Sequence, residues 1–470
     1  MTSTQRCAQA NTSQREALTP PRVRSPRRDA DAATRCLVRW LLEAGARLPF
    51  LAVHHHADHS RGVHARVPIS TGEVVLEVPL RCILTSQAAR ESLAQRKIAS
   101  SRIELLGTQS CLAEYLLEER RQPSSVWRPY LDTLPSSFPH VPLFFDEKEL
   151  ALLKGSFTLG MIEDRKLWLR EDHQSLRHSV RGFSHPYAEF EWARVAVTSR
   201  NFNLEVHGRS VQALVPMADL LNHATPRETA WGFDDSSGAF RMTALKSFAP
   251  GEAVHDSYGR KCNSRFFVNY GFVLPDNPDN EAVIALPDPP CDYRFYDSLT
   301  FLGGRSPGGG CRFQVSVDLE RAGPLLSFLR LLCADGEENV TLPGLAGPAI
   351  SVPPISRRNE AAALEALQNA CTAALGCFDT TLCKDEALLE NPFLTTNERN
   401  AIIMRRGEKR VLHHYLEMAR VVTGFLRLSP IEFAHVMEAP PASAAPFLGY
   451  FATLRGSAPH GEPIYLGKSC

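Results

Sequence analysis

The stretch "VPMADLLNHA", Val215 to Ala224, decides how this chain of 470 residues is read. An apolar run, Leu214, Val215, Met217, Leu220 and Leu221, carries Asp219 within it and ends on Asn222-His223. Polar groups in that company are costly to bury unless each finds a partner. Read alone, Asn-His after an apolar run is a strand-end turn. The pair gains a functional meaning only from the segments around it.

Three such segments stand in order. "SRGVHA" (Ser60 to Ala65) and "TSRNF" (Thr198 to Phe202) precede the central stretch, and "GEAVHDSYGRKCNSRFFVNYGF" (Gly251 to Phe272) follows it. Around them, "TRCLVRWLLEAGARL" from Thr34 sets Leu37, Trp40, Leu41 and Ala44 on one helical face, with Gly45 as a stop. Short strands broken by turns follow: Ser70-Thr71-Gly72 is a turn, and Val74, Leu76 and Val78 alternate. Residues 86 to 200 read as several helices. From 211 to 286 strands return, "RFFVNYGFVL" among them, and "GGRSPGGGCR" (303 to 312) is loop. Beyond 314 the chain turns helical. One helix sets Leu364, Leu367, Cys371, Ala374 and Leu375 at three- and four-residue intervals. A longer one opens on Thr395-x-x-Glu398, a capping-box pattern. The expected class is α+β: a β-rich domain over 34–286 with a helical insertion at about 86–200, a linker over 287–313, and an all-α domain over 314–470.

Composition excludes more than it assigns. With 52 basic against 52 acidic residues, nothing points to nucleic acid or an anionic membrane. No apolar stretch approaches the roughly 18 residues of a membrane span. The twelve cysteines form no CxxC pair, and most are expected to be reduced thiols in an intracellular protein, of cytoplasm or nucleus. The first 33 residues hold six arginines and three prolines with little apolar content, which reads as a disordered tail. Their Arg- and Ser-rich character leaves a plastid or mitochondrial transit peptide as the alternative. "HHHADHS" (His54, His55, His56, Asp58, His59) is the loudest candidate metal site. Three adjacent histidines cannot all face one ion from a strand, and no HExxH pattern supports them, so no metal is expected. There is no GxSxG nucleophile motif, and "GGRSPGGG" lacks the lysine and helix of a phosphate loop.

The ordered set G-V-x-A, SR-x-F, ADLxNH and the paired YG…N…YGF closely resembles the SET-domain protein methyltransferases. The similarity is to the branch that includes the plant Rubisco large-subunit lysine methyltransferase and the actin-histidine methyltransferase. It covers roughly residues 37 to 286, and the helical tail resembles that branch's substrate-binding domain. The resemblance implies a knotted SET fold, in which the Asn-His pair lies beside a threaded crossing, and S-adenosyl-L-methionine as cofactor. Asn222 and His223 would then present groups to that cofactor, their burial compensated by it and by the hydrogen bonds of the knot, with Asp219 supporting the pocket. Arg61 and Gly62 match a small-residue turn that lets backbone approach the cofactor. Arg200 matches the arginine near the cofactor carboxylate. Tyr258 matches the catalytic tyrosine. Tyr270 matches the second aromatic, at the meeting of cofactor and substrate channel, and Phe272 a neighbouring position shaping that channel. Asn263 lies between the two tyrosines.

Under this resemblance the protein is expected to methylate a lysine of a non-histone protein, because a tyrosine at 270 resembles the lysine-methylating branch. Asn201, polar and adjacent to Arg200, keeps a histidine acceptor such as that of actin as the alternative. A non-catalytic binding module retaining the SET fold is a second one. The substrate protein is expected to dock partly on the helical C-terminal domain, with the chain acting as a monomer. Within that domain "MRRGEKR" (Met404 to Arg410) reads either as a solvated helix face or as a dock for an acidic surface.

Overall fold

The computed structural model describes residues 26–55, 61–95, 104, 106–289, 302, 309–335 and 351–455. The N-terminal half is built from small antiparallel sheets, as expected of short alternating strands separated by tight turns. Strand β1 (Leu51–His55) pairs with β2 (Arg61–Ala65). Strand β3 (Val74–Pro79) and β7 (Thr229–Asp234) flank β8 (Ala239–Ala244). Strand β4 (Leu84–Thr85) and β5 (Asn201–Val206) flank β6 (Arg209–Leu214). Between β4 and β5 run the inserted helices, the longest Phe157–Ser179. Sheets and insertion share one apolar core, from Leu37 to Val273.

The last domain is not purely helical. Strand β9 (Glu281–Leu286) pairs with β10 (Cys311–Ser316) across the stretch read as linker. Both strands pack into a second core with the helices Leu319–Leu332, Arg357–Gly376 and Thr396–Leu426. Their alternating apolar residues, Ala282, Ile284 and Leu286 against Cys311, Phe313 and Val315, supply a two-stranded wall that helix periodicity could not reveal. The second unit thus starts near Glu281 rather than 314. At the other end a helix runs Pro26–Glu43, so helix begins inside the stretch read as a tail. It stops where expected, Gly45 taking φ 79°.

The capping box is present, with the Thr395 hydroxyl receiving the Glu398 amide and the Glu398 carboxylate receiving the Thr395 amide. That helix joins the two cores: Ala401, Ile403 and Met404 sit in the first, Val411, Leu412 and Tyr415 in the second. The stretch Met404 to Arg410 lies at this junction and is mostly buried, so it is not a solvated face, Arg410 being its exposed residue. Lys409 is 1% exposed and donates to Asp385 at 2.6 Å, and Arg405 reaches the same buried carboxylate at 2.7 Å. Glu408 accepts hydrogen bonds from Ser156 and Thr158 of the insertion. A Cβ on Gly407 would come within 2.5 Å of Asn280. Glu408, with Arg405 donating to the Leu152 carbonyl, ties the helix to the insertion, while the Asp385 pairs lie within the C-terminal unit.

Candidate active site

The opening stretch folds as a tight turn. Met217 adopts φ 75°, ψ −43°, a conformation that costs a side-chain-bearing residue on the order of 1–3 kcal/mol and persists where surrounding structure enforces it. Met217 is 1% exposed, and the turn it makes presents Asp219 inward and Asn222-His223 outward. The residues after it pair in parallel with the Tyr258 segment: the Asp256 amide donates to the Asn222 carbonyl and the Ala224 amide to the Asp256 carbonyl, both at 2.9 Å.

Asn222 itself is exposed and not buried as expected. Its side-chain amide donates to the Arg61 carbonyl at 2.9 Å, tying the turn to β2. His223 Nδ1 accepts the Tyr258 amide at 3.0 Å. Its proton therefore sits on Nε2, 3.2 Å from the Thr225 hydroxyl. Burial, with Lys261 and His255 nearby, pushes the imidazole down to about 4, so it is neutral at physiological pH. The ring lies 4.8 Å from Phe266 and 5.2 Å from Tyr258.

Asp219 has a fully buried side chain. The Tyr130 hydroxyl donates to Oδ2 at 3.0 Å, and Arg200 Nε stands 3.5 Å from the same oxygen. Oδ1 has no hydrogen-bond partner. Burial raises this carboxyl, while Arg200 and Arg61 oppose the rise. Arg61 lies in β2 and not in a turn; its guanidinium donates to the Thr133 carbonyl at 2.8 Å and is pushed down to about 10 by burial and by Arg200. Gly62 is likewise a strand residue, paired with His54.

Tyr258 donates its hydroxyl to the Leu221 carbonyl at 2.9 Å and stacks on Tyr270 with ring centroids 4.8 Å apart. Burial holds both phenols above their ordinary range. Tyr270 ends a helix, Asn263–Tyr270, where a strand was expected. Gly271 closes it at φ 79°, and a Cβ there would meet His140 at 2.5 Å. Asn263 is a clamp away from the aromatic pair: buried, it exchanges hydrogen bonds with the amide and carbonyl of Leu274 at 3.0 and 2.8 Å.

Two cavities meet at Arg200, Asp219, Tyr258 and Tyr270. One, of about 360 Å³, is lined further by Arg61, Asn222, His223 and Phe272. The other, of about 420 Å³, is lined by Asn201, Phe202, Ala218, Trp231 and Asp256 on the opposite side. Phe272 thus borders the Asn222-His223 side and not the second cavity. An opening of about 700 Å³ adjoins the second cavity through Asn203 and Gln212, and no residue of the expected site lines it. The sequence reading missed Tyr130, which sits in the insertion with no local signal, and Asp256, which lay inside a quoted motif. His54 and His55 belong to β1, while His56, Asp58 and His59 lie outside the described residues.

A SET domain model matches residues 60–259, and a Rubisco LSMT substrate-binding model matches residues 305–412. The chain thus carries a SET domain followed by a Rubisco LSMT substrate-binding domain, the makeup of a SET-domain protein methyltransferase. It is 26% identical over 413 residues to the actin-histidine N-methyltransferase of Mus musculus, covering 83% of this chain and 69% of that protein. The Gallus gallus protein of the same name is 27% identical over 404 residues, covering 82% and 68%. The fold matches a crystal structure of the SET domain of LSMT bound to lysine and AdoHcy, with TM-score 0.72 and 23% identity, over 90% of this chain and 99% of that one. A structure of Rubisco LSMT bound to AdoMet gives TM-score 0.70 at 24% identity, over 89% and 99%. Among the described residues no helix is long and apolar enough to cross a membrane.

Proposed function

We propose that the protein is an S-adenosyl-L-methionine-dependent protein-lysine N-methyltransferase. The observation that carries this reading is the junction of two cavities at the stacked Tyr258–Tyr270 pair. The cavity bordered by Asn222 and His223 takes the cofactor. Its residues fit a molecule that is both zwitterion and cation: Asp219 Oδ1 and Arg200 Nε are buried polar atoms without hydrogen-bond partners, and Arg200 suits a carboxylate. When bound, the cofactor supplies an activated methyl group on sulfur.

The second cavity takes the acceptor side chain. Phe202, Ala218, Trp231, Tyr258 and Tyr270 give it apolar walls, which desolvate an amine and accommodate methylammonium on aromatic faces. Lysine is about one part in a thousand neutral at pH 7.4, a cost of roughly 4 kcal/mol. Arg165, Arg200, Arg227 and Lys261 line this cavity against Asp219 and Asp256, and a surplus of positive charge favours the neutral amine. The Tyr258 hydroxyl, anchored on the Leu221 carbonyl, would then align nitrogen and methyl, a positioning role. Asn201 borders the same cavity, and with the actin-histidine relatives it supports a histidine acceptor as the second reading.

The protein substrate docks partly on the C-terminal domain in this reading, and the enzyme acts as a monomer. Labelled S-adenosylmethionine added to a cell extract, followed by mass-spectrometric mapping, tests it. A methyl-lysine on a non-histone protein supports the reading, and a methyl-histidine on actin replaces it with the second. Absence of labelling despite cofactor binding would favour a binding module.

A further inference from the structure

We propose that Asp256 is the acceptor-binding residue of this site: its carboxylate captures the ammonium of the incoming lysine and takes a proton from it. This rests on the lysine reading above. Asp256 is 3% exposed, lines only the acceptor-side cavity of the two, and its Oδ1 has no hydrogen-bond partner. The Ser257 amide and the Trp231 and Thr229 side chains lie near enough to favour the carboxylate, yet none completes a hydrogen bond to Oδ1; a buried carboxylate oxygen left so is costly, and its place at the wall of a cavity points to a donor supplied from outside the chain. The backbone fixes where it points. Asp256 pairs in parallel with His223, and residues two apart on an extended segment face the same side, so Asp256 shares its side with Tyr258.

The chemistry follows from the groups present. A lysine ammonium entering between Trp231 and the Tyr258–Tyr270 pair has three N–H donors. Asp256 and Asp219 are the carboxylates lining this cavity; Asp219 also has an open Oδ1, but its other oxygen holds the Tyr130 hydroxyl and pairs with Arg200. One N–H bond of the ammonium breaks and an O–H bond forms at Asp256 Oδ1. This leaves a neutral amine with a free lone pair for the methyl group, and a neutral acid. The cations on the cavity walls, Arg165, Arg200, Arg227 and Lys261, disfavour the ammonium and equally favour the Asp256 carboxylate over its acid, so they do not by themselves set the direction of the proton. Burial, partly offset by the Ser257 amide, then Arg227 and the Trp231 and Thr229 side chains, pushes the Asp256 carboxyl up to about 6, which makes it a stronger proton acceptor than an ordinary carboxylate while leaving it ionised at neutral pH.

The test uses the full chain loaded with S-adenosylhomocysteine and titrated calorimetrically with free L-lysine and with norleucine, which keeps the α-amine but lacks the side-chain amine. Asp256→Asn should lower lysine affinity by about tenfold or more, as loss of a buried charge partner does, while norleucine and S-adenosylhomocysteine affinities stay within about threefold. A purely structural aspartate would not separate lysine from norleucine. In the unaltered chain, lysine affinity should also fall about tenfold from pH 7 to pH 5 as the carboxylate protonates, a readout that needs no variant. Equal lysine affinity in the variant, or a flat pH dependence, overturns the assignment. Binding of S-adenosylhomocysteine without lysine overturns the lysine reading and this role with it. Failure to bind S-adenosylhomocysteine overturns the methyltransferase reading first.

Discussion

Glu408 at the domain seam makes a prediction whose size can be worked from its surroundings. The side chain is buried against the insertion, accepting the Ser156 hydroxyl, the Thr158 hydroxyl at 2.9 Å and the Phe157 amide at 3.3 Å. Those donors favour the carboxylate, but burial outweighs them and pushes the group from 4.5 up to about 7. An acid raised in the folded state is most stabilising when neutral. Its contribution is complete below 4.5, declines as pH rises, and is lost once pH passes about 7. At about 1.4 kcal/mol per tenfold change in proton affinity, the full span is about 3 kcal/mol. Of this, about 2–3 kcal/mol falls between pH 5 and pH 8. Glu408→Gln cannot titrate. Urea unfolding of both proteins, followed by tryptophan fluorescence, should therefore show the variant gaining about 2–3 kcal/mol on the unaltered chain from pH 5 to pH 8. A stability difference that is the same at both pH values would refute the reasoning, and would mean that the hydroxyls compensate burial in full.

Three further outcomes are expected at the site. Tyr258→Phe removes the hydroxyl held on the Leu221 carbonyl; turnover should fall about 100-fold while S-adenosylmethionine affinity, by calorimetry, changes less than about threefold. Equal turnover would remove Tyr258 from the chemistry. Asn222→Ala deletes the hydrogen bond to the Arg61 carbonyl and should weaken S-adenosylmethionine by about 1 kcal/mol, roughly fivefold in Kd, with unchanged affinity sinking its role. Tyr130→Phe takes the hydroxyl donor from the buried Asp219 carboxylate. Thermal unfolding should then report a loss of about 1–3 kcal/mol, and an unaltered melting temperature would show that Arg61 and Arg200 suffice.

The sequence carried the site further than the frame around it. Arg61, Arg200, Asp219, Asn222, His223, Tyr258, Tyr270 and Phe272 all border one cavity, although they come from segments up to some two hundred residues apart. They were legible because each sits in a short motif whose order is itself specific. The errors have local causes. "RFFVNY" has the aromatic and β-branched content of a strand, yet it forms a helix, because Phe266, Phe267 and Val268 are buried and Gly271 closes it in a left-handed cap. "MRRGEKR" reads as a wet helix face because four of its seven residues are Arg or Lys. Its partners, Asp385, Ser156, Thr158 and Asp276, lie in three other segments that no periodicity connects to it. Pairing at long sequence separation is invisible to any local window.

That seam also bears on the site. The Asn400 side chain of the bridging helix donates to the Gly271 carbonyl at 3.2 Å, between the two aromatic residues, Tyr270 and Phe272, that border the cofactor-side cavity. His140 presses on the same glycine from the insertion. Tyr270 stacks on Tyr258, whose amide in turn fixes the His223 tautomer. The position of the Tyr258 hydroxyl is therefore set by contacts from the insertion and the C-terminal domain as well as by the sheets. A constellation must be held to within about half an ångström to align a displacement, and side chains on a turn and a helix end do not reach that precision alone. The buried charges of the Thr396–Leu426 helix, costly to desolvate and often replaceable by apolar packing without loss of stability, make physical sense as the device that locks this helix against the core so that the aromatic pair cannot drift.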